Sequence, residues 1–497
     1  MDQNLQKRAL GGMIWKFLEK ICGQGMQLVI QIVLARLLLP EEYGLVGLLT
    51  IFITISDVFI LQGLTTALIQ KKSADEKDYS SVFFANIAMS CVLYAILFLI
   101  APIIASFYNE PSLTDIMRVL SLNVLFGAFA AVPNAILSRQ LDFKKSFIRN
   151  ISNVSVQGIV GITFAFLGAG AWAMVYSKVF GTLVGALVLM ATVDWWPKLT
   201  FSFERVKKLF SFSSKVLATN LLNTVFNNIH SLIIGKAFNT AELGYYQRGQ
   251  QTPQVAMTSL DGSMTEVLYP TFSKLQNDVK ALKAAVSKSI SASMFIVLPA
   301  MFGMMAIAEP LTLVLLTEKW LPSVPFMQLS CIICMFWPLA HRTHALNALG
   351  KSNVTLKLSL IGKGITLLMI FVCIPMGIYA IMLGSIAASS INLFITSHYV
   401  KKYVGYSLFD MVRDVLPSLI ISAVMGGIVY AISMIPIAPI LTLIIQIATG
   451  VVTYVVLCII FKPKPYIIVW GIMKRTLSNK LGGKFGKFFK KKRKCNK

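Results

Sequence analysis

The sequence has little charge for its length. Only 13% of its 497 residues are Asp, Glu, Lys or Arg, whereas 56% are hydrophobic and the mean hydropathy is +0.71. A water-soluble protein of this size needs a more charged surface, so this composition excludes the ordinary soluble classes. Apolar runs of about 20 residues, the length that crosses a hydrocarbon core about 30 Å thick, recur along nearly the whole chain. We therefore predict an all-α integral membrane protein.

Motifs for nucleotide hydrolysis and metal binding are also missing from the sequence. No segment matches the G-x-x-x-x-G-K-[ST] pattern of ATP-hydrolysing proteins. Cys331 and Cys334 form a C-x-x-C pair, but their apolar neighbours favour helix packing over a redox or metal site. His341 and His344 flank Arg342 with no carboxylate nearby, a pattern more typical of an interfacial pair than of metal binding. A membrane glycosyltransferase would need acidic motifs in sizeable loops, and the loops are too short. We expect no enzymatic activity, no cofactor and no metal.

Hydropathy predicts about 14 membrane-spanning helices. These spans are 12–36, 43–69, 80–106, 117–137, 147–167, 170–194, 211–236, 247–272, 286–308, 325–349, 354–376, 377–399, 412–434 and 438–461. Lys and Arg cluster in the loops that follow even-numbered spans, whereas the other loops are nearly bare. The positive-inside rule then predicts a multi-pass membrane protein with both termini in the cytoplasm. The same loops explain the net charge of +25, so nucleic acid is not an expected partner.

The chain repeats one design at a fixed offset of 200 residues. Four polar positions of the first span have polar counterparts in the seventh: Lys20, Gln24, Gln27 and Gln31 are matched by Asn220, Thr224, Asn227 and Ser231. The turn after each span is repeated as well, with Arg36, Glu42 and Gly44 matched by Lys236, Glu242 and Gly244. A second echo, at offset 207, relates Gly170–Met174 to Gly377–Ile381 and Lys144 to Lys351. A polar stripe that occurs twice on apolar helices predicts a duplicated membrane protein with a cavity shared by its halves.

The repeat and the longest polar connector together predict the domain organisation. The predicted parts are an N-terminal six-helix lobe (1–194), a cytoplasmic amphipathic linker (195–210), a C-terminal six-helix lobe (211–400), two additional transmembrane helices (401–461) and a basic cytoplasmic tail (462–497). No acidic residue follows Asp414, and phenylalanines alternate with cations near the C-terminus. This tail is either a solvated segment or an interfacial anchor for anionic membrane lipids.

Several motifs resemble those of a known family. They are Ala35–Gly47, Gly63–Gln70, Pro133–Phe143, Ile234–Tyr246, Val267–Gln276 and Glu318–Pro322, in the same order. On these motifs the chain resembles the oligosaccharide flippases of bacterial surface-polysaccharide assembly, which belong to the multidrug/oligosaccharidyl-lipid/polysaccharide exporter (MOP) superfamily. Within it, the chain looks most similar to the lipopolysaccharide and teichuronic-acid exporters. The resemblance implies two six-helix lobes in a V around a central cavity, and transfer of undecaprenyl-pyrophosphate-linked oligosaccharide to the outer leaflet.

Polar helix faces supply the candidate cavity residues for such a substrate. They are Lys20, Gln24, Gln27 and Gln31 in the first span, Asn220, Asn223 and Asn227 in the seventh, and Gln251 and Gln254 in the eighth. Amide side chains donate and accept hydrogen bonds, so they suit sugar hydroxyls without the cost of a buried charge. Such stripes also join helices by hydrogen bonds, and Lys20 lies where a lysine snorkels to the interface.

Four charged residues lie at membrane depth in the predicted spans. We expect Lys178 and Lys363 to attract the pyrophosphate, because a cation suits that group. Asp57 and Asp261 are candidates for binding a coupling proton or Na⁺, or for neutralising the lysines. Arg36 and Lys236, at outer helix ends, are expected to pair with Glu42 and Glu242.

The sequence thus predicts a flippase for lipid-linked oligosaccharide repeat units that works by alternating access. The alternative is an ion-coupled multidrug antiporter of the same superfamily, which would need a more acidic cavity. A polysaccharide polymerase and glycosyltransferases are expected functional partners.

Overall fold

The computed structural model describes residues 3–71 and 73–466. Every regular element in these residues is helical, which confirms the predicted all-α class. The chain packs into two compact units, Met1–Gln247 and Arg248–Lys497. The predicted basic tail lies outside the described residues from position 467 onward.

The N-terminal unit is built from long helices with short connections. They are α1 (Gln3–Leu37), α2 (Pro40–Phe59), α3 (Thr65–Gln70), α4 (Glu76–Tyr108), α5 (Leu113–Leu120), α6 (Leu122–Gln140), α7 (Phe143–Phe166), α8 (Ala171–Thr192) and α9 (Phe203–Ala237). A π-helical turn, Ile60–Leu64, joins α2 to α3. In this unit α7 packs on α8 and α1, α6 packs on α4 and α8, and α9 packs on α2.

The helix α10 (Thr240–Lys274) begins in the N-terminal unit and continues into the C-terminal unit. The following helices are α11 (Val279–Ala306), α12 (Ala308–Leu316), α13 (Val324–Met335), α14 (Arg342–Ala348), α15 (Ser352–Cys373), α16 (Ile378–Val404), α17 (Leu408–Ile432) and α18 (Pro439–Phe461). Short 3₁₀ turns occupy Glu318–Ser323, Pro338–His341 and Ile374–Met376. Here α11 packs on α17, α15 on α16, and α17 on α18.

All fourteen predicted spans coincide with helical segments. Eleven helices in the described residues are long and apolar enough to cross a membrane. The predicted spans 147–167, 211–236 and 247–272 correspond to α7, α9 and α10, which are not among those eleven. The chain is thus a multi-helix membrane protein, and the number of fourteen spans stays a prediction.

The connection into α9 differs from the separate linker helix that the sequence suggested. Residues 193–202 are non-helical, and α9 then runs without a break from Phe203 into the predicted seventh span. The backbone N–H of Lys198 donates to Ser80 Oγ, and that of Ser202 donates to Ser81 Oγ, both at 3.0 Å. These bonds attach the connection to the first turns of α4. The predicted domain boundaries themselves stay a prediction.

An ionic cluster holds the start of α9 against the start of α4. Asp78 is fully buried, and its carboxylate accepts from Lys71 Nζ at 2.5 Å and from Arg205 at 3.1 Å. Arg205 also donates to Asp75 at 2.5 Å, and Asp75 caps α4 by accepting from the backbone N–H of Asp78. The Arg205 hydrogen bond holds the pKa of the Asp75 carboxyl well below its usual range. The cluster therefore stabilises the Asp75 carboxylate.

The two copies of the repeated turn pack against each other within the N-terminal unit. A Cβ on Gly44 would lie 1.8 Å from the Thr240 carbonyl oxygen, and one on Gly244 would lie 2.0 Å from the Pro40 carbonyl oxygen. Thr240 and Pro40 are the first residues of α10 and α2. The contact is reciprocal at the 200-residue offset, so only glycine allows these two helix starts to approach so closely.

Candidate functional site: two polar pockets at equivalent positions of the repeat

A polar pocket of about 400 Å³ lies inside the N-terminal unit. Its lining comes from α2, α6, α7 and α8 and includes Asp57, Asn123, Asn134, Arg149, Asn153, Gln157 and Lys178. A cavity of this volume lies in the range of ligand pockets, about 300–1,000 Å³. Two cations and one carboxylate line the pocket, so its formal charge is positive.

The cations of this pocket, which we call the N pocket, are held by neutral partners. Lys178 Nζ donates to Thr50 Oγ1 at 2.7 Å, and Arg149 donates to Asn134 Oδ1 at 3.0 Å. The buried Nε of Arg149 has no hydrogen-bond partner among the described residues. Asp57 lies near enough to Lys178 for their charges to interact. Each cation therefore keeps donor capacity for an anionic ligand.

Small residues of α8 make room for the amide side chains of α7. A Cβ on Gly181 would lie 2.3 Å from Gln157 Cγ, and one on Gly185 would lie 2.9 Å from Asn153 Nδ2. Gln157 donates to Asn153 Oδ1 at 2.5 Å. Because both positions are glycine and have no side chain, the two amides fit between the helices and reach the pocket.

The α7 side of the N pocket is not among the site residues predicted from the sequence. Arg149, Asn153 and Gln157 follow one another at steps of four, the same helical spacing that marked the other polar stripes. The spacing was therefore visible in the sequence, but Arg149 lies near the start of a predicted span (147–167), where a cation also fits the positive-inside pattern. The structure places it at the pocket, beside the predicted residues Asp57 and Lys178.

A second polar pocket, of about 380 Å³, lies inside the C-terminal unit. We call it the C pocket. Asp261 of α10 lines it, with Arg342, Thr343, Ser389, Asn392 and Thr396. Asp261 Oδ1 is 2.7 Å from His341 Nε2, and the His341 side chain is only 3% exposed. Our expectation of an interfacial histidine pair without a carboxylate nearby is therefore wrong for His341, because a residue 80 positions earlier supplies the carboxylate.

The two pockets occupy equivalent positions of the repeat. At the 207-residue offset seen in the sequence, Ala130, Thr182, Gly185 and Ala186 of the N pocket correspond to Trp337, Ser389, Asn392 and Leu393 of the C pocket. Asp57 and Asp261, 204 residues apart, supply the carboxylate of each. The duplication therefore extends to an internal polar pocket in each unit.

The charged partners of these pockets differ between the copies. Ser385 stands at the position that corresponds to Lys178, and its hydroxyl donates to the Ile381 carbonyl of its own helix. His341 stands where the N pocket has Asn134. The acid of the N pocket therefore shares its cavity with a lysine, whereas the acid of the C pocket is bonded to a histidine.

The other predicted site residues lie on helix faces outside these two pockets. In their own units, Lys20, Gln24, Asn223 and Asn227 are exposed, whereas Gln27, Gln31, Asn220, Gln251, Gln254 and Lys363 are half-buried. Gln251 Oε1 accepts from the buried Arg248 at 2.6 Å. Their roles in substrate binding stay predictions.

Two side chains of the repeated turn, Lys236 and Glu42, make contacts other than the expected pairs with Glu242 and Arg36. Lys236 donates to the Phe107 carbonyl and lies over its ring, 4.5 Å from the centroid, rather than pairing with Glu242. Glu42 accepts from the backbone N–H of Leu39 at 2.7 Å and so caps α2. These acids and cations support helix ends, which agrees with the structural role expected for the turn.

The fold is similar to two kinds of solved transporter. A lipid II flippase MurJ in an inward closed conformation matches with TM-score 0.71 and 17% identity, over 91% of this chain and 98% of that one. A multidrug resistance MATE family transporter of the MOP superfamily matches with TM-score 0.61 and 14% identity, over 79% of this chain and 98% of that one. The chain therefore shares the helical fold of this class of transporter.

The sequence relatives identify the family within that class. The model of the polysaccharide biosynthesis protein family matches residues 33–325, and the chain belongs to this family. The chain is 26% identical to the succinoglycan biosynthesis transport protein ExoT of Rhizobium meliloti, over 63% of this chain but only 64% of that protein. It is 24% identical both to the lipopolysaccharide biosynthesis protein WzxC of Escherichia coli (84% of this chain, 83% of that one) and to the teichuronic acid biosynthesis protein TuaB of Bacillus subtilis (87% and 90%). These matches confirm the resemblance seen in the motifs.

Proposed function

We propose that this protein flips undecaprenyl-pyrophosphate-linked oligosaccharide repeat units from the inner to the outer leaflet of the cytoplasmic membrane for surface polysaccharide synthesis. The family membership, the relatives named for polysaccharide biosynthesis and transport, and the flippase-like fold support this class of activity. The single observation that carries the choice of substrate is the charge of the N pocket. It contains Lys178 and Arg149 against one acid, Asp57.

A pyrophosphate fits this charge, whereas a cationic drug does not. Lys178 and Arg149 each contact a neutral oxygen, so a phosphate oxygen replaces a weak partner with a charge-assisted one. Hydrogen bonds to charged groups contribute about 1.5–3 kcal/mol each. The MATE-like fold also accommodates the alternative, a multidrug antiporter. Its cationic drug would meet a net positive pocket and would not gain the energy of these hydrogen bonds.

The neutral side chains of the pocket suit the sugars that follow the pyrophosphate. Asn123, Asn153 and Gln157 offer both donors and acceptors. The volume of about 400 Å³ suits the pyrophosphate and the nearest sugar better than a complete repeat unit. The rest of the head group would then contact the polar faces of α1 and α9, which include Gln24, Gln27 and Asn227.

The cellular setting follows from the same proposal. Both termini lie in the cytoplasm, and the head group enters from the side where glycosyltransferases assemble it. A polysaccharide polymerase uses it after release on the outer side, and anionic lipids hold the basic tail. Alternating access is the expected mode of transfer, with binding of the head group shifting the population of states.

Transport by the purified chain tests this proposal. Liposomes that contain the protein are loaded with a fluorescent undecaprenyl-pyrophosphate oligosaccharide, and a membrane-impermeant quencher reports its arrival in the outer leaflet. Parallel liposomes are given a cationic dye, the substrate of the alternative. We expect the protein to accelerate transfer of the lipid-linked sugar over empty liposomes and to leave the dye unmoved. Dye transport without sugar transfer would contradict the proposal and support the antiporter.

A further inference from the structure

The C pocket combines aromatic rings with polar side chains on one lining. Phe336 and Trp337 follow the end of α13, line the pocket and are half-buried. Polar side chains from α10, α14 and α16 share the lining, among them Asp261, Arg342 and Asn392. Small-molecule sites typically have this composition, in which apolar surface supplies contact area and a few polar groups fix the orientation of the ligand. The lining therefore has the composition of a ligand site.

Several polar groups of the C pocket have hydrogen-bonding capacity that no neighbour uses. Arg342 is 3% exposed, and its buried Nε has no hydrogen-bond partner among the described residues. Asp261 Oδ1 lies 2.7 Å from His341 Nε2, which leaves Oδ2 as an acceptor. The Asn392 amide is contacted through Oδ1 by Thr396 Oγ1 at 3.5 Å, which leaves its Nδ2 as a donor. The pocket therefore offers donors and acceptors together, as a ligand rich in hydroxyl groups requires.

The fixed charges of the C pocket cancel. Arg342 and Asp261 are the charged side chains on its lining. The terminal nitrogens of Arg342 already donate to Ser397 Oγ and to the Leu393 carbonyl. An anionic ligand would lie beside the Asp261 carboxylate and a cationic ligand beside the Arg342 guanidinium, and like charges at short range oppose binding. A neutral polar ligand therefore suits this lining better than an ion.

The two equivalent pockets of the repeat differ in just these properties. At the 207-residue offset, the N-pocket cations Lys178 and Arg149 correspond to Ser385 and Leu356, which carry no charge. A small residue of the N pocket is replaced by the indole ring of Trp337. The C pocket has therefore lost the groups that suit a phosphate and has gained an aromatic surface.

Both pockets nevertheless hold an amide side chain against a glycine, although the helices exchange roles. In the N pocket Asn153 of α7 fits against Gly185 of α8. In the C pocket the amide is Asn392 of α16, which stands at the position equivalent to Gly185. A Cβ on Gly362 of α15 would lie 3.0 Å from Asn392 Nδ2. An amide that suits hydroxyl groups is thus present in both copies, whereas the cations are not.

We propose that the C pocket is a binding site for a neutral sugar residue. The C–H face of the sugar ring packs on Trp337 and Phe336. Arg342 Nε and Asn392 Nδ2 donate to hydroxyl oxygens, and Asp261 Oδ2 accepts from a hydroxyl group. Membership of this sugar in the transported repeat unit rests on the proposed function, whereas sugar binding itself does not. The N pocket then takes the pyrophosphate, and the C pocket takes an uncharged sugar of the same head group.

Saturation-transfer NMR with the full-length protein tests sugar binding without any lipid. The probes are the neutral methyl glycosides of glucose, galactose and mannose, together with the anionic methyl glucuronide and the cationic methyl glucosaminide. The detergent carries no sugar head group, since an alkyl maltoside would itself compete for the pocket. We expect transfer to at least one neutral glycoside, stronger than to either charged analogue. The ring C–H protons should receive the most saturation, because they pack on the aromatic lining.

Two pairs of variants assign the binding to the C pocket. Asn392→Ala should weaken binding of the neutral glycoside about 2- to 12-fold, the effect of one lost hydrogen bond. Its matched control is Asn353→Ala, which removes an exposed amide of α15 and should bind as the wild type does. Gly362→Ala adds a methyl group that presses on Asn392 and should also weaken binding, whereas Gly364→Ala, where no atom lies within 4 Å of the added methyl group, should not.

Three results would overturn the sugar site. The first is no saturation transfer to any neutral glycoside. The second is stronger binding of the glucuronide or the glucosaminide, which would assign the pocket to an ion. The third is equal affinity of the wild type, Asn392→Ala and Gly362→Ala for the neutral glycoside, which would place the binding elsewhere.

Flipping assays separate this proposal from the proposed function. We expect Asn392→Ala to slow transfer of lipid-linked oligosaccharide in liposomes at limiting substrate, and Asn353→Ala to match the wild type. A wild type that binds the neutral glycoside but transfers no lipid-linked sugar refutes the proposed function and keeps the sugar site. Equal transfer by Asn392→Ala and the wild type refutes use of the site by the transported head group.

Discussion

The reciprocal contact of Gly44 and Gly244 gives the sharpest prediction about stability. In Gly44→Ala the new methyl group would lie 1.8 Å from the Thr240 carbonyl oxygen, where about 3 Å is the shortest distance tolerated. The obstacle is backbone, so the starts of α2 and α10 must separate by about 1 Å. Overpacking of this kind costs about 1–3 kcal/mol, which changes the unfolding equilibrium constant about 5- to 150-fold.

Denaturation of the detergent-solubilised protein, followed by circular dichroism, measures this loss. The matched control is Gly25→Ala in α1, where no atom lies within 4 Å of the added methyl group, and where alanine should stabilise the helix by about 0.5–1 kcal/mol. We expect the two substitutions to shift the midpoint in opposite directions. Gly44→Ala and Gly244→Ala together should cost less than their sum, because one separation of the helices relieves both contacts. Equal shifts for Gly44→Ala and Gly25→Ala would refute the close contact.

Two further predictions concern the ionic cluster and the N pocket. Arg205→Gln removes the hydrogen bond that keeps the pKa of Asp75 low. A depressed carboxyl pKa stabilises the fold at pH values above the ordinary pKa of about 3.8, and this stabilisation is lost as the pH falls towards the folded-state pKa. The wild type should therefore be more stable than the variant at neutral pH, and the difference should shrink below about pH 4. A pH-independent difference in denaturation midpoint would contradict this linkage. Gly185→Ala places a methyl group against Asn153 in the N pocket, so it should slow sugar transfer. The control Gly364→Ala, where no atom lies within 4 Å of the added methyl group, should not. Equal transfer rates for the two variants would show that the pocket volume is not used.

The helical framework was predictable because its determinant is local. A run of apolar residues long enough to cross the bilayer is visible in the sequence without any knowledge of neighbours. Local reasoning does not show where α9 begins, because the predicted linker (195–210) overlaps its first turns. The helix is continuous there from Phe203 to Ala237, and Arg205 is bound by Asp75 and Asp78, contacts that join positions about 130 residues apart.

The candidate site was predictable only one side chain at a time. Asp57, Lys178 and Asp261 were identified because charge is rare inside apolar spans. Their partners were not, since packing between helices decides which residues meet. His341 lies 80 residues from Asp261, and no periodicity links the two. The position of Arg149 near the start of α7 does not reveal that its side chain lines a pocket.

Our proposal is that the cations of the N pocket bind the pyrophosphate of a lipid-linked sugar. The most direct test compares the rates of sugar transfer in liposomes by Lys178→Met and by a control, Lys208→Met. In the wild type Lys208 forms an exposed pair with Glu204. Loss of one charge-assisted hydrogen bond of about 1.5–3 kcal/mol predicts transfer about 10- to 150-fold slower for Lys178→Met. The control should match the wild type. Equal transfer by both variants, at equal amounts of folded protein, would contradict the claim.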